Sequence, residues 1–199
     1  MTIDIHKAIW DKFHIKRRDN LPFTPWAKGT NRNDLAILFA EVGFKRGAEI
    51  GVRMGEFSQV LLEENKDLTL LCVDPWAPYA RVNQNRQDRY LRYCKQRLAP
   101  YGERAVLMKM TSIDALKEVP DSSLDFVYID GDHCFDAVMI DIICWSNKVK
   151  SGGVISGHDL YFFYNGGVVY AVEAYTKAHN INPWYVTPEQ YPSFFWVKP

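Results

Sequence analysis

Neither sign of charge is in excess. Lys plus Arg number 24 and Asp plus Glu number 24, so the formal net charge is zero. Such a chain has no global basic field to draw it onto nucleic acid, and no Asn-Pro-Pro-Tyr-like turn for handling a base occurs. No apolar run is long enough to span a bilayer, and the opening MTIDIHKAIWDKFH lacks a signal-peptide core. The expectation is a cytoplasmic protein without membrane or nucleic-acid partners. The four cysteines, Cys72, Cys94, Cys134 and Cys144, form no CxxC pair. Three lie in or beside apolar runs, which suits small buried hydrophobes better than metal ligands or disulfides. Repeats and low-complexity segments are absent. So are GxGxxG and a glycine loop ending in Lys-Ser/Thr, which removes the dinucleotide fingerprint and the phosphate loop.

What is present is a core-forming composition: 199 residues, 47% hydrophobic and 14% aromatic. That length suggests one domain, with residues 1–32 as an N-terminal helical cap and 33–199 as the main body. Ile5, Ile9, Trp10 and Phe13 share a helical face, and RRDNLPFTPWAKGT breaks the helix. Asn33 or Asp34 can cap a second helix that stops at Gly43. From residue 47 to about residue 180, apolar runs alternate with amphipathic ones. The strands are RGAEIGV, LTLLCVD, RAVLMKM, SLDFVYID and GGVISGHD. LTLLCVD shows no polar alternation, as in a strand covered on both faces. The two final aromatic runs, PWYVTPE and PSFFWVKP, are too close for a helical crossover, so they predict a hairpin with the last strand antiparallel.

In sheets of this kind ligands bind beyond the carboxyl ends of the strands. At the first such end Glu49, Gly51 and Gly55 form a glycine turn into a helix, whose amino terminus offers free N–H groups. Plain architecture explains such a turn equally well. Asp74 ends the second strand, where an acid can accept hydrogen bonds from both ribose hydroxyls; a turn before Pro75 is the alternative. Ser112 follows the third strand and can cap a short helix or contact a base edge, and capping is the stronger reading.

Glu49-x-Gly51-x-x-x-Gly55, Asp74 and the long stretch SLDFVYIDGDHCFDAVMIDIICWSNKVKSGGVISGHDL together resemble class I S-adenosylmethionine-dependent methyltransferases. The similarity is to the branch of macrocin and mycinamicin sugar O-methyltransferases and, more distantly, to catechol O-methyltransferase. It spans roughly residues 44 to 199. It implies a doubly wound, Rossmann-like α/β sheet of seven strands, mostly parallel with an antiparallel C-terminal strand. By this resemblance Glu49, Gly51 and Gly55 surround the amino-acid half of S-adenosylmethionine, Asp74 holds the ribose and Ser112 lies near the adenine.

The stretch VYIDGDHCFD places two carboxylates and an imidazole where a buried strand ends, which is costly to desolvate. Asp130 and Asp159 end consecutive strands and should meet at one rim, where like charges need a proton or a cation between them. A hard divalent cation suits oxygen ligands. In metal-dependent relatives, acids at these strand ends hold Mg²⁺. Asp130 and Asp159 match that pattern, and His158 stands where relatives often carry an acid, which would favour Mn²⁺. His133 is the candidate general base, in the position of a lysine in catechol O-methyltransferase. Asp132 either orients His133 or caps the next helix. The alternative for the cluster is a metal-free site in which His133 and His158 neutralise the acids.

The acceptor is expected to be a small molecule with a hydroxyl, sugar or phenol-like. WAPYARVNQNRQDRY could be a lid, and Tyr161, Phe162, Phe163, Tyr164 and Asn165 could supply stacking faces, although Phe162 and Phe163 could equally pack on the hairpin. Trp10, Phe13, Phe23 and Trp26 could cover the site or join a homo-oligomer, and Arg17 and Arg18 read as solvated. Two further readings stay open: a binding module without turnover, and an NAD-dependent dehydrogenase, against which the missing GxGxxG argues.

Overall fold

The computed structural model describes residues 4–15, 22, 30–80, 82–162 and 164–199, with only the backbone at Tyr164. The expectations for Arg17, Arg18, Phe23, Trp26 and Phe163, and for the Tyr164 side chain, fall outside these. Two helices come first, α1 (Ile5–Phe13) and α2 (Arg32–Glu41). Strands and helices then alternate: β1 (Arg46–Ile50), α3 (Glu56–Glu64), β2 (Thr69–Val73), α4 (Gln84–Leu98), β3 (Ala105–Met108), α5 (Ser112–Ala115), β4 (Leu124–Ile129), α6 (Phe135–Lys148), β5 (Val149–Gly157) and α7 (Gly167–Ala178). The chain closes with β6 (Tyr185–Val186) and β7 (Phe194–Val197).

All seven strands form one sheet in the order β3-β2-β1-β4-β5-β7-β6. β1 to β5 run parallel, and β7 is antiparallel to both β5 and β6. The mixed seven-stranded sheet expected from the sequence is therefore present, with the reversed strand inserted between β5 and β6. Its register sets Val154 against Val197 and Gly157 against Phe194.

The continuous apolar strands are explained by helices on both faces. Along β4, Phe126 and Tyr128 enter one core with α1 to α4, and Val127 and Ile129 enter the other with α5 to α7. β2 divides in the same way, Leu70 and Cys72 against Leu71 and Val73. Successive side chains of a strand point to opposite faces, so a strand covered twice must be apolar at every position. α1 belongs to the first core: Ile9 and Phe13 are fully buried, and Phe13 packs on Phe195 with ring centroids 5.3 Å apart. Trp10 is half-buried and donates to the Tyr185 hydroxyl at 2.9 Å.

Several local expectations need correction. The cap of α2 is Asn31, in a capping box whose return partner is Asp34. The run of five polar residues from Thr30 to Asp34 offers several candidate caps, and only the backbone shows which one is used. Thr111, not Ser112, caps α5. Cys72 and Cys94 are buried, but Cys134 is exposed and Cys144 intermediate. Phe162 does not pack on the hairpin; it is exposed and meets Tyr170 edge-on at 6.1 Å. Among the described residues no helix is long and apolar enough to cross a membrane.

Candidate active site

The strand order reverses between β1 and β4, and such a switch point opens a crevice at the carboxyl ends. On its first side, Gly51 follows β1 with φ +91°. A Cβ there would lie 2.0 Å from the Asp130 carbonyl oxygen. The glycine is thus required by the close approach of the β4 end as well as by its backbone angle. Gly55, φ +74°, opens α3 with no side-chain cap, and a Cβ on it would press Cys94 Sγ at 3.2 Å.

Asp74 is committed to the turn that it faces. Its Oδ2 accepts from the backbone N–H groups of Val52 at 3.1 Å and Arg53 at 2.8 Å, and its Oδ1 accepts from Trp76 N–H at 2.7 Å. Trp76, read from sequence as part of a lid, is instead buried, and its indole donates to the Arg53 carbonyl at 2.8 Å. Arg53 and Trp76 both have positive φ. Such backbone is held by its surroundings and clusters at functional sites.

Glu49 lies deepest, with 2% of its surface exposed, and accepts a hydrogen bond from the Ser58 hydroxyl. Burial, aided by Asp130 and Asp74 and opposed by Ser58 and Arg32, pushes its carboxyl up to about 8. At neutral pH the acid is largely protonated, and a cationic ligand in the crevice would favour its ionisation. Arg32 was not singled out from the sequence. As the first residue of α2 it brings its guanidinium to within 3.7 Å of Asp130 Oδ2 and 5.1 Å above the Phe57 ring. Only the three-dimensional packing of α2 on α3 reveals this placement.

On the second side, pairing of β4 with β5 sets Ile129 opposite Gly157 and brings the following acids together. His133 Nε2 lies 3.5 Å from Asp130 Oδ1 and 3.2 Å from Asp159 Oδ2. His158 Nδ1 lies 3.7 Å from Asp130 Oδ2 and 3.4 Å from Asp159 Oδ1. Asp159 has φ +54°. Burial alone would lower the His133 pKa, but Asp130, Asp159 and Asp132 outweigh it, so the imidazole is held above its usual value. Asp130, His133 and Asp159 offer ligand atoms that all lie within 4.8 Å of one another. Asp132 accepts from the Cys134 N–H at 2.8 Å at the start of α6.

Ser112 is engaged elsewhere than at a cap. Its hydroxyl donates to Asp141 and accepts from the Trp145 indole at 2.8 Å. Burial pushes the Asp141 carboxyl up to about 6, against the Ser112 hydrogen bond. Asp141 and Trp145 sit on α6, about thirty residues from Ser112, with no local pattern to connect them.

Residues 48–160 match the model of the methyltransferase-domain family, more than half of the chain. The chain belongs to that family, and it is an S-adenosylmethionine-dependent methyltransferase. No curated protein sequence matches it significantly. Among solved structures it is similar to the O-methyltransferase of Bacillus cereus in complex with SAH (TM-score 0.63, 13% identity, 98% of this chain and 90% of that one). It is also similar to the O-methyltransferase TomG of Streptomyces achromogenes, involved in tomaymycin synthesis and solved with SAM (TM-score 0.61, 16% identity, 98% and 89%). A third is the SAH-bound methyltransferase PaMTH1 of Podospora anserina (TM-score 0.61, 14% identity, 84% and 78%). At such identities these likenesses concern the fold. Family membership removes the dehydrogenase reading.

Proposed function

We propose that the protein methylates a hydroxyl of a small sugar-like or phenol-like molecule, with a divalent cation at the acceptor side. The observation that carries this is the convergence of Asp130, His133 and Asp159 at one rim of the crevice, with His158 beside them. Two carboxylates and an imidazole make a mixed oxygen and nitrogen donor set, which favours Mn²⁺ over Mg²⁺. Such a cation, when bound, lowers the pKa of an acceptor hydroxyl. With His133 drawn into the ligand set, the division of roles changes: Asp130, Asp159 and His133 would hold the cation, and His158, 3.4 Å from Asp159 Oδ1, is the group left to take the proton. A resemblance to the sugar O-methyltransferase branch and an aromatic rim support this acceptor class. Tyr161 and Tyr191 meet edge-on at 6.2 Å, and both are exposed. Stacking faces that carry hydroxyls suit a sugar ring or a phenol.

On the cofactor side, the Gly51–Gly55 turn and the start of α3 receive the amino-acid half of S-adenosylmethionine, whose positive charges suit Glu49. Asp74 has spent three acceptor positions on the turn, so it offers the ribose its remaining capacity and acts chiefly by shaping the loop. Ser112 and Asp141 lie on the adenine side.

A metal-free variant of the reading is favoured by one observation, the raised pKa of His133, whose imidazolium can bridge the two carboxylates unaided. Calorimetric titration of chelator-stripped protein with Mn²⁺ and Mg²⁺ separates the two, followed by methyl transfer from S-adenosylmethionine to a panel of saccharides and phenols with and without EDTA. Saturable Mn²⁺ binding and EDTA-sensitive transfer are expected. Transfer indifferent to EDTA would establish the metal-free form, and no transfer to any hydroxyl would overturn the acceptor class.

A further inference from the structure

We infer that Arg32 binds the carboxylate at the amino-acid end of S-adenosylmethionine, an assignment that rests on the methyltransferase reading of the crevice. The position of Arg32 is fixed before its side chain is considered. Asn31 and Asp34 close the capping box around it, and its backbone N–H donates to Glu189 Oε1 at 3.0 Å. From there the side chain crosses the first turn of α3 and lays its guanidinium over Phe57. The side chain retains 30% exposure, so part of it is open to solvent.

Charge complementarity points to the ligand group. The crevice floor carries Asp74 and Asp130 above the protonated Glu49, a set that suits the sulfonium and ammonium of the cofactor, and the two aspartates repel its carboxylate. That one anionic group needs a cation of its own. Among the described residues the other basic groups near the crevice are directed elsewhere: Arg53 lies 5.1 Å over the Tyr90 ring of α4, Arg97 meets the Met54 carbonyl and Glu56, and His133 and His158 face Asp130 and Asp159. Arg32 approaches Asp130 only to 3.7 Å, beyond hydrogen-bonding distance, and beside that pairing and its contact with the Tyr128 hydroxyl part of its five-donor fork is left for a second anion. The guanidinium also sits where α3 begins at Gly55 without a side-chain cap, so the helix dipole adds to its pull on a carboxylate.

The test compares wild type with Arg32→Met, which keeps an apolar stem against Phe57, and Arg32→Lys, which keeps the charge. Each is titrated calorimetrically with S-adenosylhomocysteine and with its decarboxylated analogue, which retains the amine. Wild type should prefer S-adenosylhomocysteine by about 10- to 100-fold, the range of a charge-assisted hydrogen-bonded pair. Arg32→Met should lose that preference while binding the decarboxylated analogue as wild type does, and Arg32→Lys should recover part of it. If Arg32→Met weakens both ligands equally, or neither, Arg32 is only a counter-ion of Asp130 and the assignment is overturned. If wild type binds neither compound, the methyltransferase reading of the crevice falls, and this assignment with it.

Discussion

The two sides of the crevice are built by different means. The β1–β2 side is held by backbone: Gly51 lies against the Asp130 carbonyl, and Asp74 gathers three N–H groups at 2.7 to 3.1 Å. The β4–β5 side is held by carboxylate and imidazole groups spaced 3.2 to 3.7 Å apart. Short hydrogen bonds and steric contact fix a shape without any ligand. Spaced titratable groups leave room for a cation or a proton to decide the final arrangement. Substitutions on the first side should therefore be read in stability, and those on the second in ligand and pH dependence.

Gly51→Ala is the strongest probe of that contrast. Its methyl would enter the β4 backbone at a φ unfavourable for alanine, and a loss of about 3 kcal/mol or more in unfolding free energy is expected. A melting temperature like that of wild type would mean that the first side is more yielding than its contacts imply. Asp74→Ala should cost about 2 kcal/mol by stranding three N–H groups, and should weaken S-adenosylhomocysteine binding at least tenfold by loosening the turn. Normal stability with lost binding would instead make Asp74 mainly a ligand contact.

Asp159→Asn belongs to the other side. It should abolish Mn²⁺ binding while changing stability at neutral pH by on the order of 1 kcal/mol. Its clearer mark is the pH profile. Because the folded-state pKa of His133 is raised, its contribution is complete below the ordinary value of 6.5 and is lost as pH rises through the raised one. Asp159→Asn should shrink that loss, and denaturant unfolding of metal-free protein between pH 6 and 9 would show it. The smallest effect in mildly acidic solution, near pH 4, is expected from Glu49→Gln. The folded-state pKa of Glu49 is raised from 4.5 to about 8, so its contribution is present below 4.5 and falls away through about 8. The variant should match wild type within about 0.5 kcal/mol near pH 4 and exceed it by a growing margin as the pH rises towards 8. A parallel pair of profiles would place Glu49 in a wetter setting than its burial indicates.

The alternation of elements was legible because a doubly covered strand and an amphipathic helix differ in period, as β4 and α6 do. The meeting of Asp130 with Asp159 was legible from topology alone, since each follows a strand end and the two strands are adjacent. Arg32, Asp141 and Trp145 were not, because their roles depend on helices that meet across long intervals of chain. Asp74 was placed correctly at its strand end, but its use differs: the turn it faces has N–H groups that point back at it, and only the fold of residues 51–53 reveals them. Trp76 misled for a related reason. A tryptophan after a strand reads as exposed loop, whereas here its indole finds a carbonyl and its ring a core.

The placement of β7 between β5 and β6 has a consequence for how the molecule is made. A ribosome delivers β5 long before the strand that will pair along its free edge, and α7 and β6 must emerge first. Until Phe194 to Val197 arrive, Val154 to Gly157 form an apolar edge with unpaired backbone, the kind of surface on which unfinished chains stick to one another. The nascent protein is thus most in need of protection at the rim beside Asp130 and Asp159, and β7 is what ends that exposure.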